Sequence, residues 1–159
     1  MNSIVRDQFD VLKMTVALRD QLLGVLNDSD LRCILPGHNV SLGALCRELG
    51  EVQQAYIDSY KTFRQDFSYR NPEPGLDTSV AKLKAWFQAL DADLYAVLEG
   101  LSEDDIQHKT IDRGGGFNPP PTVQLHIFRE GLLIFYGKAS IYLKAMERNL
   151  PGDWPNWIA

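Results

Sequence analysis

Residues 41–63 read SLGALCRELGEVQQAYIDSYKTF. Leu42, Leu45, Leu49, Val52, Tyr56, Ser59 and Phe63 recur in alternating steps of three and four. That spacing lines one face of an α-helix, whereas a half-buried strand would alternate strictly. Ser41 stands just ahead of the stripe and supplies a natural N-cap. The same rhythm returns at Val80, Leu83, Phe87, Leu90, Leu94, Val97 and Leu101, and again at Leu125, Phe128, Leu132, Phe135, Ala139, Tyr142 and Met146. The N-terminal segment carries two adjacent stripes, Ile4, Val11, Leu18, Leu22, Val25 and Phe9, Leu12, Val16, Leu23, Leu26, hence a wide apolar face.

Long helices with heptad-like seams pack best as a bundle. The pattern therefore predicts an all-α four-helix bundle with helices near 3–27, 41–66, 78–100 and 122–149. Asn27-Asp28-Ser29 ends the first, Asp77, Thr78 and Ser79 offer caps to the third, and Thr122 caps the fourth before it ends near Asn149-Leu150-Pro151-Gly152. The third connection, 102–121, is long. It opens with a short capped turn at Ser102-Glu103-Asp104-Asp105 and runs through Gly114-Gly115-Gly116 and Pro119-Pro120-Pro121, which forbid regular structure.

The 159 residues suit one domain, 1–159, with a core of useful size. Sixteen Lys and Arg stand against 21 Asp and Glu, a net charge of −5 with no basic run, which argues against nucleic acid as a partner. Arg6, Asp7 and Asp10 break up any signal-peptide core, and the longest apolar run, Leu132 to Tyr136, is far too short to span a membrane. Cys33 and Cys46 form neither a CxxC nor a disulfide framework and suit a reduced, cytoplasmic protein, although His38 stands five residues from Cys33.

Three segments carry a resemblance. They are Ser41-Leu42-Gly43-Ala44-Leu45-Cys46-Arg47-Glu48-Leu49-Gly50-Glu51-Val52, Leu101-Ser102-Glu103-Asp104-Asp105, and Gly137-Lys138-Ala139-Ser140-Ile141-Tyr142-Leu143-Lys144. In this order and spacing the chain resembles the DinB/YfiT-like superfamily of bacterial four-helix bundles over nearly its whole length. The resemblance implies a metal site at one end of the bundle, made by one His on the second helix and a His-x-x-x-His pair on the fourth. Residues i and i+4 share a helical face, so two imidazoles can meet one ion, and a third leaves a position open for water or substrate. Hydrolysis and thiol transfer are attributed to members of that superfamily.

Matched on Gly137, the ligand positions in this chain hold Glu48, Gly131 and Phe135. Glycine and phenylalanine offer no side-chain donor. The fourth helix holds a single histidine, His126, so a shifted register cannot restore the pair. The expectation is accordingly a bundle without the metal, working as a small-ligand-binding or interaction protein, with Glu48, Gly131, Phe135 and Lys138 as pocket candidates. The alternative is a metal-dependent hydrolase or thiol transferase with a relocated zinc or nickel site. Its ligands would be His126 and Glu130, an i, i+4 pair, with Glu48 or Glu51 as the third.

An ionised carboxylate buried alone costs several kcal/mol. Glu48 is therefore expected either exposed or paired, with Arg19, Arg47 or Lys138 as partner, and Phe135 is expected in the core. His38 and His108 fall in connections. Gly114-Gly115-Gly116 lacks the Lys and Ser/Thr of a phosphate loop, and Ser59 and Ser140 have no triad partners nearby. Trp154 and Trp157 make the C-terminal stretch apolar, so it is expected to fold back on the bundle or to join the interface of a homodimer, the assembly common in the superfamily.

Overall fold

The computed structural model describes residues 1–158; Ala159, the last residue of the expected domain, lies outside them. Among the described residues the chain is mostly helical and has no strand. In chain order it forms α1 (Ser3–Val25), α2 (Leu42–Thr62), α3 (Val80–Gly100), α4 (Glu103–His108), α5 (Pro121–Ala145) and α6 (Trp154–Trp157), with short 3-10 turns at Asp30–Arg32 and Leu76–Thr78. None of these helices is long and apolar enough to cross a membrane.

Local chemistry explains where each helix begins. Asn2 caps α1 by accepting from Val5 N (3.0 Å), and its amide donates to Leu98 O and Leu101 O (2.8 Å each), which ties the start of α1 to the end of α3. Ser41 caps α2 through Ala44 N (3.1 Å), as its position implied. Ser79 alone caps α3. Ser102 and Asp105 complete a capping box on α4. At α5 the expected Thr122 cap is wrong: Pro120 is the cap and Pro121 the first helical residue, a position where a missing N–H costs nothing.

The helix ends correct the sequence reading. α1 stops at Val25 rather than 27. α2 stops at Thr62, not 66, because Phe63 takes a left-handed conformation (φ 55°) and its carbonyl accepts from Asp112 N (3.0 Å). α5 stops at Ala145, not 149. Glu147 is left-handed (φ 56°) and Arg148 N bonds Leu143 O (2.9 Å), the six-to-one bond of a Schellman ending.

The three stripes of α2, α3 and α5 are buried as their spacing requires, except for Val52, Phe63, Val97 and Met146, which are half-buried. On α1 the second stripe is buried throughout, whereas Val11 and Val25 of the first are exposed. α2 contacts α3 and α5, and α1 contacts the same two helices. α2 and α5 run antiparallel: Gln124 at the start of α5 bonds Ser59 near the end of α2 (3.0 Å), and Tyr142 near the end of α5 bonds Val40 O just before α2 (2.6 Å). The approach of α2 to α3 and to the turn that precedes it depends on glycine. A Cβ on Gly50 would collide with the Trp86 ring, and one on Gly43 with the Asp77 carbonyl.

Candidate functional site

α2 and α5 are packed unevenly. Between them lies a cleft of about 190 Å³, walled by Leu45, Leu49, Val52 and Tyr56 from α2 and by Phe128, Leu132 and Phe135 from α5. Glu48, Gly131 and Lys138 also line it, so the four pocket candidates from the sequence face one space. Phe135 is nearly buried and packs edge-on against Tyr136 (5.6 Å between centroids). Gly131 leaves its side of the cleft open. A Cβ built there meets nothing within 4 Å.

One end of the cleft is aromatic. Tyr56 stacks at a tilt on Phe128 (5.0 Å) and meets Phe67 edge-on (6.0 Å), and Phe67 lines the cleft from the irregular segment after α2. Glu51 holds that segment down. Its carboxylate accepts from Asn71 N (3.1 Å) and Arg47 Nε (3.3 Å) and lies 3.7 Å from Arg70 Nε. Behind this end, Arg113 sits 5.5 Å from the Tyr56 ring centre and 5.7 Å from that of Phe67. It donates to Tyr56 Oη (3.2 Å) and to Gln124 Oε1 (2.8 Å), and Gln124 in turn bonds Ser59 and Gln65.

The other end is charged. Glu48 and Lys138 are exposed on facing helices, and neither forms an ion pair among the described residues. Glu48 thus takes the exposed option. Of its three expected partners, Lys138 stays unpaired, Arg47 is engaged by Glu51, and Arg19 lies in a different part of the molecule.

The donor set does not fit a metal ion. The positions that the resemblance implies as ligands, Glu48, Gly131 and Phe135, offer one carboxylate, a glycine and a phenyl ring. Among the described residues no three His, Cys, Asp or Glu side chains converge so as to hold a metal. His126 and Glu130 are exposed on α5 and line none of the cleft, so the structure does not bring them to Glu48. His38 is exposed, and His108 is an exposed partner of Asp104 (2.9 Å) on α4. The Cys46 thiol is buried, which pushes it up to about 12 and leaves it without thiolate character at neutral pH.

One polar cluster escaped the sequence reading. Arg19 of α1 is only 1% exposed, and Asp91 of α3, whose side chain is 13% exposed, accepts from its guanidinium. Gln53 of α2 closes the ring, accepting from Arg19 (3.0 Å) and donating to Asp91 (2.8 Å), while the Phe87 ring lies 4.2 Å from the guanidinium carbon. The signal was present. Arg19 is seven residues after Leu12 and three before Leu22, on the buried face of α1.

A scan against protein-family models finds no match for this chain, and a search of curated proteins finds none either.

Proposed function

We propose that this chain is a DinB/YfiT-like four-helix bundle that lacks the superfamily's metal site and binds a small, mainly apolar molecule in the cleft between α2 and α5. The carrying observation is Gly131. A glycine in mid-helix costs about 1 kcal/mol relative to alanine, and no close packing neighbour demands one here. Its effect is to keep open an apolar recess with a few polar groups at its edge, the usual make-up of a ligand pocket. The contacts of α1 and α2 with both α3 and α5 support the bundle assignment. Binding is favoured over catalysis because the cleft holds no nucleophile beside a base.

Titration with neutral apolar probes, such as benzyl alcohol and indole, tests this reading by amide NMR. Saturable shifts should centre on Gly131, Phe135 and Leu49 and vanish in Gly131→Leu. Shifts spread over the surface, or none, would defeat it. Purified protein should carry no stoichiometric zinc or nickel after dialysis.

The partner in this reading is a second copy. Val11, Met14 (56% exposed), Leu133 and Trp157 (60% exposed) form an apolar groove along α1 and α5, larger than a lone exposed residue would leave. Light scattering should return twice 18.0 kDa; a mass of one chain would remove the dimer.

A further inference from the structure

We propose that the cleft between α2 and α5 selects a small zwitterion, an α-amino acid with a large apolar side chain, whose ammonium meets Glu48 and whose carboxylate meets Lys138. The proposal rests on the cleft being a ligand site, as argued above.

Three observations carry it. The first is the polarity of the cleft's length. Glu48 precedes Tyr56 by eight residues and Lys138 follows Phe128 by ten. At 1.5 Å per residue, Glu48 and Lys138 lie about 12–15 Å along their helices from Tyr56 and Phe128, while Phe67 reaches back to share a recess with Glu48, Glu51 and Arg70. The helices are antiparallel, so Glu48 and Lys138 fall at the same end. A ligand with one polar head and one apolar body therefore has a single sensible orientation, its head at the rim and its body along Leu49, Leu132 and Phe135, pointing toward Phe128 and Tyr56.

The second is charge availability. Both signs stand at that rim, on opposite walls, and neither is neutralised by the protein. The nearby cations Arg47 and Arg70 are drawn to Glu51 instead. Arg113, behind the far end, is held by Tyr56 and Gln124, so no free cation competes for the carboxylate there. An anionic amphiphile would gain from Lys138 but meet repulsion from Glu48; a cationic one would meet the reverse. Only a head carrying both charges is attracted by both walls.

The third is size. A cleft of about 190 Å³ lies below the range that holds drug-sized ligands, and suits one ring or a short branched chain.

The test is a matched set that shares one hydrocarbon body: L-phenylalanine, 3-phenylpropanoate, phenethylamine and the neutral 3-phenylpropan-1-ol. Affinities are read from the Gly131 amide at low ionic strength. L-phenylalanine should bind about fivefold tighter than either singly charged analogue, the gain one exposed ion pair can supply. In Glu48→Gln the advantage over 3-phenylpropanoate should disappear. In Lys138→Met the advantage over phenethylamine should disappear. Both side chains are exposed, so both variants should fold. Equal binding of all three charged probes, or variants that leave the ranking unchanged, would overturn the zwitterion while leaving the apolar cleft intact if the alcohol still binds. If no probe shifts Gly131, the ligand reading falls together with it.

Discussion

The two faces of α2 treat charge in opposite ways. Toward α1 and α3, Gln53 helps bury Arg19 against Asp91, with bonds at 3.0 and 2.8 Å and an aromatic ring beneath. Toward α5, Glu48 and Lys138 stand at the edge of an open cleft without partners. The first arrangement is closed: Asp91 neutralises Arg19, and Gln53 bridges them. Only Arg19 Nε is left without a bond. The second has spare capacity in both charge and volume. A buried, nearly complete network serves the uniqueness of the packing, whereas exposed charges left without a protein partner around a gap suit a visitor.

The largest effect should come from breaking the closed side. In Asp91→Ala, Arg19 keeps its buried charge and loses its counter-ion. Removing one partner of a buried pair costs about 3–5 kcal/mol. Urea unfolding should show that loss, and Arg19→Met combined with Asp91→Leu should recover most of it, since a well-packed apolar replacement is often neutral or stabilising. A small loss in Asp91→Ala would mean that Gln53 and the exposed Asp20, whose carboxylate lies 3.5 Å from the guanidinium, suffice to hold it, and the contrast between the two faces would weaken.

Phe135→Ala comes next. Phe135 is nearly buried, but one side of it faces the cleft. Its truncation should cost about 3 kcal/mol, the low end for a core aromatic, because part of its surroundings is already empty. A neutral result would show that the ring does not pack as a core residue and would undo the match of Phe135 to a ligand position.

Two glycines sharpen the comparison further, and they should respond with opposite signs. Gly50→Ala must push against the Trp86 ring where α2 crosses α3, and should lower the melting temperature. Gly131→Ala meets open space and should raise stability by up to about 1 kcal/mol, the helix-propensity difference between the two residues. A destabilised Gly131→Ala would mean that the backbone there is needed for packing, and the case for a cleft kept open for a ligand would lose its support.

How much of this was legible in the sequence follows from which forces act locally. The seams of α2, α3 and α5 were readable because burial repeats with the helical period, and Ser41 was readable because a cap acts within one turn. The ends of α2 and α5 were not. Phe63 and Glu147 adopt left-handed conformations that neither residue type advertises, and Phe63 does so as its carbonyl pairs with Asp112, far along the chain. Arg19 enters the sequence reading only as a candidate partner for Glu48, because its charge masks its position on the apolar stripe of α1; a partner on another helix makes that placement possible. The grouping of Glu48, Gly131, Phe135 and Lys138 came from a resemblance rather than from periodicity, since spacing within α2 and α5 cannot say which faces meet. The folding back of the C-terminal stretch is true of Trp154, which is buried and donates to Leu18 O (2.8 Å), but not of Trp157.

The smallest effect on stability, and the one that best separates the two faces, belongs to Glu48→Gln. The side chain is exposed, has no ion pair, and keeps its shape in the amide. Nothing in the fold draws on its charge, so the urea midpoint should not move within error at neutral pH. Asp91→Asn makes the same chemical change on the closed side and should be plainly destabilising, because Arg19 then loses its counter-ion while remaining buried. One isosteric exchange, a carboxylate to an amide, thus reads out two environments. If Glu48→Gln also destabilised the protein, its carboxylate would be stabilising a cation in the folded state, with Lys138 across the cleft the first suspect. The rim would then be a closed pair like Arg19 and Asp91, with no charge left over for a ligand.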